Sequence, residues 1–166
     1  MIESGLDTHK GTNAVAMVGR HPICDARQHT IGYELLFRNV AGENTASIMD
    51  DDRATAQVIV NSFLDIGMDE LIRSNLAFIN VTRGFIMSDC CRVLPKDRCV
   101  FEILEDVTPD ADLLRALGKL QHEGFRFALD DYAFEPSRTP LLPYCSYVKV
   151  DLRQANREIL EANSDR

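Results

Sequence analysis

Residues 76–104 read LAFINVTRGFIMSDCCRVLPKDRCVFEIL, and the fold class can be predicted from their pattern. It contains two apolar, strand-like runs, LAFINV (76–81) and RCVFEIL (98–104). Between them, a short helix is predicted near FIMSDCCRVL, and Pro95 ends it. Strands that alternate with helices predict a parallel sheet or barrel of the α/β class.

The same alternation continues towards the C-terminus. A helix is predicted to begin at Thr108 with Pro109 in its first position, and Gly124 stands where a helix C-terminal glycine belongs. The apolar face of this helix carries Leu113, Leu114, Leu117 and Leu120. The next predicted strands are FRFALDD (125–131) and YVKVD (147–151).

Towards the N-terminus, the pattern predicts a hairpin and a helix. The runs AVAMVGRHPIC (14–24) and TIGYELLF (30–37) are joined by the polar segment DARQH. The helix ATAQVIVNSFLDIG (54–67) follows, with Asp50, Asp51 or Asp52 as its expected cap. We expect a flexible tail over 1–12, one domain over 13–151, and a polar tail or helix over 152–166.

Composition limits the function further. The chain of 166 residues carries a net charge of −8, which argues against a nucleic acid polymer as partner. No apolar run reaches bilayer length and no signal pattern is visible, so a cytoplasmic protein is expected. Five cysteines without a CxxC pair and four scattered histidines predict reduced thiols and leave only oxygen ligands for a metal.

Polar side chains interrupt the strand-like runs at places where a core strand is usually apolar. Because the carboxyl ends of parallel strands lie on one side of a sheet, we expect these side chains to converge. Carboxylate and amide oxygens are the ligands that Mg²⁺ and Mn²⁺ prefer. The pattern therefore predicts a metal-dependent site for an oxygen-rich, phosphorylated ligand, built from Glu34, Asn80, Glu102, Asp130, Asp131, Lys149 and Asp151.

Each of these positions also has a simpler interpretation. Glu34 could face water from an edge strand, and Asp130 and Asp131 could only start a turn. Lys149 could pair with Asp151 or Glu102 in a structural ion pair. Asn80 could satisfy loop backbone groups.

Taken in order, the motifs resemble the bacterial EAL domain family. YELLFR (33–38) resembles its naming segment, FINVT (78–82) its asparagine strand, and FEILED (101–106) its ELTE-type segment. ALDDY (128–132) resembles the start of its DDFGTG segment, and YVKVD (147–151) its KxD motif. The opening RHPICDARQHTIGYELLFR (20–38) is similar to EAL-like domains that precede an HDOD domain, although no HDOD domain is present here.

The resemblance implies a fold, a chemistry and a set of roles. The fold would be a modified (β/α) TIM barrel whose first strand runs against the others, incomplete at about six of its eight strands. Active members of the family use two Mg²⁺ or Mn²⁺ ions to open cyclic-di-GMP to its linear dinucleotide. By this resemblance Lys149 acts on the attacking water and Arg38 and Asp151 contact the ligand. The metal ligands would be Glu34, Asn80, Glu102, Asp130 and Asp131.

Two departures from the family pattern bear on activity. The segment ALDDYAFEPSRTPLL (128–142) has no Gly-Thr-Gly, and the family's late glutamate and last strand have no counterpart. An incomplete barrel exposes strand edges, so we expect a homodimer or a fragment of a longer protein.

Three functions follow from this sequence. The first is a degenerate, non-hydrolytic module that binds cyclic-di-GMP or a protein partner, such as an attached HDOD-like domain, with Mg²⁺, Mn²⁺ or no metal bound. The second is an active phosphodiesterase of which the chain is a fragment. The third is an unrelated α/β metal enzyme or a structural domain, for which the carboxylates should not converge.

Overall fold

The computed structural model describes residues 17–25, 27–38 and 48–150 of the chain. The tails predicted over 1–12 and 152–166 therefore lie outside the described residues, as does Asp151. Within the described part, no helix is long and apolar enough to cross a membrane.

Six strands form one sheet whose spatial order is also their order along the chain. The strands are β1 (Met17–Cys24), β2 (Thr30–Arg38), β3 (Leu76–Val81), β4 (Cys99–Ile103), β5 (Arg126–Leu129) and β6 (Cys145–Val148). β1 runs antiparallel to β2, and each later neighbouring pair is parallel. The α/β class and the N-terminal hairpin are confirmed.

The hairpin turn is held by one carboxylate. Oδ1 of Asp25 accepts hydrogen bonds of 2.9 Å from the backbone N–H groups of Arg27 and His29. Gln28 takes a positive φ of 64° between them. An aspartate that binds backbone groups a few residues ahead is a common way to close a turn.

Helical segments connect the parallel strands. These are α1 (Ile48–Ser62), a π-helical turn (Phe63–Gly67), α2 (Met68–Ile72), α3 (Arg83–Met87), a 3-10 turn (Asp89–Val93), α4 (Ala111–His122) and a second 3-10 turn (Thr139–Tyr144). The short helix predicted between β3 and β4 is confirmed as α3 with its 3-10 continuation.

Two predicted helix starts are wrong. α1 begins at Ile48, so Asp50, Asp51 and Asp52 lie within the helix and do not cap it. α4 begins at Ala111 instead of Thr108, and Pro109 precedes the cap. The cap is Asp110, whose carboxylate accepts a hydrogen bond of 2.8 Å from the Leu113 N–H. This bond satisfies an N–H that has no partner inside the helix, which fixes the start one residue after Asp110.

The C-terminal end of α4 follows the prediction. Gly124 has a φ of 95°, a left-handed conformation that glycine adopts without strain. Its N–H donates to the Gln121 carbonyl, and the Phe125 N–H donates to the Leu120 carbonyl. These two bonds end the helix and turn the chain into β5.

The central strands β3, β4 and β5 are largely buried on both faces of the sheet. Towards the helices, Phe101 and Phe127 pack with their ring centroids 6.0 Å apart in a core that includes Leu113 and Leu117 of α4. On the opposite face, Phe78, Val100 and Ala128 form a second buried cluster with Tyr147 against it. This second face is the one that carries the polar side chains, because residues two apart on a strand share a face.

Candidate functional site

Polar side chains form a layer above the second cluster, one step further along each strand. Phe78 of β3, Val100 of β4, Ala128 of β5 and Tyr147 of β6 are followed two residues later by Asn80, Glu102, Asp130 and Lys149. Asn80 and Glu102 are register partners in neighbouring strands. Glu34 joins the layer from β2, since its side chain contacts both Asn80 and Lys149. The predicted convergence of these five residues is therefore observed.

The ammonium of Lys149 stands at the centre of this layer. Its Nζ lies 2.7 Å from Asp130 Oδ1 and 2.9 Å from Glu102 Oε1. It also lies 3.4 Å from Glu34 Oε2. One cation thus contacts three carboxylates that come from β2, β4 and the end of β5. The ion pair with Glu102 that was one interpretation of the sequence is present, and it is part of a larger cluster.

The charges of this cluster do not balance. Three carboxylates face one ammonium, which leaves an excess of two negative charges when all are ionised. Excess charge that is removed from water is costly unless it is paired or bound to a metal. The cluster therefore favours a further cation or a proton.

Two oxygens of the cluster lack a hydrogen-bond donor among the described residues. They are Oδ1 of Asn80 and Oε2 of Glu102, both shielded from solvent. The Asn80 amide nitrogen donates to Glu34 Oε1 at 3.2 Å. Buried polar atoms without partners are rare in native proteins. One accepted explanation is that such atoms are ligands of an ion.

Glu102 is the most deeply buried member of the cluster, with a relative exposure of 0%. Burial raises the pKa of this carboxyl to about 7, against the opposing effect of the Lys149 charge. The charges of Glu34 and Asp130 raise it further. Near neutral pH and without a metal, Glu102 is therefore partly protonated.

Lys149 has the opposite behaviour. Burial alone would lower its pKa, but the hydrogen bond to Asp130 and the charges of Glu102 and Asp130 outweigh that effect. The pKa of Lys149 is raised above its ordinary value. The side chain is therefore a fixed cation in this arrangement and cannot take up a proton.

The donor set fits a hard divalent cation by its chemistry. Glu34, Glu102 and Asp130 supply carboxylate oxygens and Asn80 an amide oxygen, as Mg²⁺ and Mn²⁺ prefer. With the side chains as they stand, however, no three His, Cys, Asp or Glu residues of the described segments are grouped to hold one ion. Lys149 Nζ lies at the point where the carboxylates of Glu34, Glu102 and Asp130 meet.

The remaining predicted site residues are Arg38, Asp131 and Asp151, and Asp151 lies outside the described residues. Asp131 is exposed and has a φ of 44°, whereas Asp130 is 9% exposed. Arg38 is the last residue of β2, where its backbone pairs with Met17. The ligand-binding roles of Arg38 and Asp151 and the metal-binding role of Asp131 stay predictions. The alternative for Glu34 is wrong, because β2 lies between β1 and β3 and is not an edge strand.

One buried residue at the site was missed in the sequence. Arg138 is 5% exposed and donates hydrogen bonds to backbone carbonyls at the ends of β4 and β5. It lies in the loop between β5 and β6, within an unremarkable polar run, SRT. The only signal was its place seven residues after Asp131, the second of the paired aspartates.

No protein-family model matches the chain. Among curated proteins, it is 41% identical over 137 residues to the cyclic di-GMP phosphodiesterase CdgJ of Vibrio cholerae, covering 81% of this chain and 31% of that protein. It is 34% identical over 145 residues to the uncharacterized protein YuxH of Bacillus subtilis, covering 84% of this chain and 35% of that protein. The chain thus spans about a third of the length of these relatives.

Solved structures share the fold. The Bacillus subtilis YkuI protein, which has an EAL domain and was solved with cyclic-di-GMP and calcium, matches with a TM-score of 0.67 at 20% identity. That match covers 90% of this chain and 44% of YkuI. Klebsiella pneumoniae BlrP1, solved with manganese and cyclic-di-GMP, matches with a TM-score of 0.65 at 18% identity over 89% of this chain and 44% of BlrP1. The six-stranded, mostly parallel sheet is the sheet of these EAL-domain structures.

Proposed function

This chain carries an EAL-like domain, and from that premise we propose that it is a signalling module that binds cyclic-di-GMP with the help of a divalent cation and does not hydrolyse it. The named relatives and structural neighbours that act on or bind cyclic-di-GMP support the choice of ligand. An attached domain, HDOD-like or other, or a protein partner would receive the signal.

A single observation carries the cation requirement. When Glu34, Glu102 and Asp130 are all ionised, as a bound cation would favour, their charge exceeds that of Lys149 by two. A cyclic dinucleotide brings two further negative charges on its phosphodiesters, so the bare cluster would repel it. A divalent cation at the cluster removes this repulsion, because it balances the excess charge. It can also accept a phosphate oxygen as one of its ligands.

The residues that would hold this cation are Glu34, Asn80, Glu102 and Asp130. Mg²⁺ or Mn²⁺ bound there would supply Lewis-acid polarisation of a phosphodiester oxygen. The side chains of the domain itself contribute orientation. The amide nitrogen of Asn80 holds Glu34 by its hydrogen bond, and the backbone of β4 fixes the buried Glu102.

The proposed absence of turnover rests on the segment that starts with the paired aspartates, because ALDDYAFEPSRTPLL (128–142) has no Gly-Thr-Gly. In the metal-free arrangement, the Lys149 ammonium contacts all three carboxylates and its raised pKa keeps it charged. A two-ion site for in-line displacement also needs more oxygen ligands than the four side chains that converge within the described segments.

Hydrolysis is the second candidate function. It is favoured by the unpartnered oxygens of Asn80 and Glu102, which are suited to act as metal ligands. The name of the Vibrio cholerae relative also favours it. Under this hypothesis Lys149 leaves the centre of the cluster when metal binds and orients the attacking water.

Calorimetric titration with cyclic-di-GMP, in chelator and then in Mn²⁺, tests the binding proposal. We expect binding only with Mn²⁺, and its loss in Glu102→Gln. Glu70→Gln is the matched control, because Glu70 is exposed on α2. Equal binding in chelator, or no binding in either buffer, would contradict the proposal.

Chromatography of the same mixtures separates the two functions. We expect cyclic-di-GMP to remain intact after long incubation with Mn²⁺. Linear dinucleotide that forms with the wild-type protein and is lost in both Lys149→Ala and Glu34→Ala would establish hydrolysis and overturn the non-hydrolytic proposal.

A further inference from the structure

Arg138 is a buried charged residue that binds the backbone of one member of the cluster, Asp130. It lies in the loop after Asp130, one residue before the 3-10 turn Thr139–Tyr144, and is 5% exposed. Burial of a guanidinium is costly unless its donors are satisfied. Both Nη groups of Arg138 have partners, whereas its Nε has none among the described residues.

The guanidinium joins the ends of two strands. Nη1 donates to the Asp130 carbonyl at 2.9 Å. Nη2 donates to the carbonyls of Ile103 and Leu104, each at 3.1 Å. The Asp130 N–H also donates to the Ile103 carbonyl at 3.1 Å. The backbone that carries Asp130 is therefore tied to the residues that directly follow Glu102.

The loop itself is arranged to hold this guanidinium. Glu135 Oε1 lies 3.3 Å from Arg138 Nη1, and Glu135 Oε2 accepts a hydrogen bond from the Ala133 N–H at 2.9 Å. Phe134 adopts a positive φ of 62° in the same loop. The planar fork of an arginine can bridge several carbonyls at fixed spacing, which a lysine cannot reproduce.

We propose that Arg138 is a positioning residue of the cation site, because it ties the backbone of Asp130 to the residues that follow Glu102, and these are two of the carboxylates that would share a divalent cation. The inference rests on the proposed function for the presence of the cation. It adds that the affinity of the site depends on a residue that supplies no ligand, as is common for groups that orient metal ligands.

The test measures Mn²⁺ affinity by calorimetry without any nucleotide. We expect Arg138→Met to bind Mn²⁺ about 10- to 100-fold more weakly than the wild-type protein. Arg92→Met is the matched control, because Arg92 also pairs with carboxylates but lies at the surface with Asp89 and Glu123. Circular dichroism checks that each variant is folded, and Arg138→Lys decides by the same criterion if Arg138→Met does not fold.

Double variants separate positioning from a general loss of structure. Arg138→Met and Asp130→Asn should be non-additive, because Arg138 acts through the backbone of Asp130. Arg138→Met and Glu34→Gln should be closer to additive, because Glu34 lies on β2, which Arg138 does not contact in the bonds described.

The outcomes distinguish this inference from the function on which it rests. A wild-type protein that binds no Mn²⁺ would overturn both. Wild-type binding that is unchanged in a folded Arg138 variant would overturn the positioning role alone. Equal coupling of Arg138 to Asp130 and to Glu34 would also overturn it, because it would indicate a general structural effect.

Discussion

The ammonium of Lys149 lies 2.7 Å from Oδ1 of Asp130, at the ends of two neighbouring parallel strands. The backbone is joined at the same place, since the Lys149 N–H donates to the Leu129 carbonyl at 2.8 Å. The Tyr132 N–H in turn donates to the Lys149 carbonyl at 2.8 Å. The ion pair is thus set by the pairing of β5 with β6 and not by the rotation of two free side chains.

Replacement of Lys149 by methionine should destabilise the metal-free protein. Glu34, Glu102 and Asp130 would lose their shared cation, and we expect a loss of about 2–3 kcal/mol in the free energy of unfolding, less than for a fully buried pair because Lys149 is partly exposed. Urea denaturation in chelator measures it. Mn²⁺ should stabilise Lys149→Met more than the wild-type protein. Lys119→Met, on the exposed surface of α4, is the control.

Glu102→Gln should change how stability depends on pH in metal-free buffer. The buried carboxyl has a pKa of about 7, against 4.5 for the unfolded chain, so the folded state holds its proton more tightly. The wild-type free energy of unfolding should therefore fall as pH rises from 4.5 to about 7, and stay low above it. Glutamine does not titrate, so the variant's free energy of unfolding should not fall in this way. The difference in free energy of unfolding, variant minus wild type, should therefore grow across that window by on the order of 3 kcal/mol.

Urea denaturation on both sides of this pH window measures the effect. The quantity to compare is the change with pH, because the variant also loses the contact with Lys149 at every pH. Parallel pH curves for the two proteins would show that Glu102 does not titrate in this range.

Gly32→Ala should destabilise the sheet next to the site. A Cβ at Gly32 would lie 2.5 Å from Cε2 of Phe78 and 2.8 Å from the Leu76 carbonyl oxygen, both closer than atoms can pack. We expect a loss of about 1–3 kcal/mol in chemical denaturation. Gly19→Ala in β1 is the control, because its nearest contact would be an ordinary 3.6 Å. Equal stability of the two variants would show that Phe78 moves aside freely.

The five cysteines should divide by their reactivity towards a thiol reagent. Cys24 is exposed, whereas Cys91 and Cys99 are fully buried. Burial raises the pKa of both buried thiols to about 12, so little thiolate forms. We expect Cys24 to react at least about a hundredfold faster in the folded protein. Mass spectrometry identifies the labelled residue, and rapid labelling of Cys99 would show that β4 opens readily.

Much of the sheet follows from local sequence. The strand LAFINV was predicted with the same bounds as β3. The polar residues Asn75 and Thr82 stand on either side of this run and mark its two ends. The helix starts were less predictable. Several residues near Asp110 and Ile48 suit a cap, and only the bond from the Leu113 N–H selects Asp110.

The convergence of Glu34, Asn80, Glu102, Asp130 and Lys149 also followed from the sequence, because the ends of parallel strands share one side of a sheet. The place of Lys149 among three carboxylates did not. Neither did the role of Arg138, because two of its three carbonyl partners lie 34 and 35 residues away in the chain. A pattern of residue types does not carry such distant backbone contacts.

The reversed first strand decides how this domain can be joined to others. Because β1 is antiparallel, Met17 stands beside Arg38, at the end of β2 towards which the parallel strands run. A sensor or purification tag joined directly to Met17 would therefore enter on the side of the molecule where the carboxylates lie. A fusion that is intended to leave ligand access unaltered should carry its linker away from that side. A fusion that is intended to gate access needs only a shorter linker.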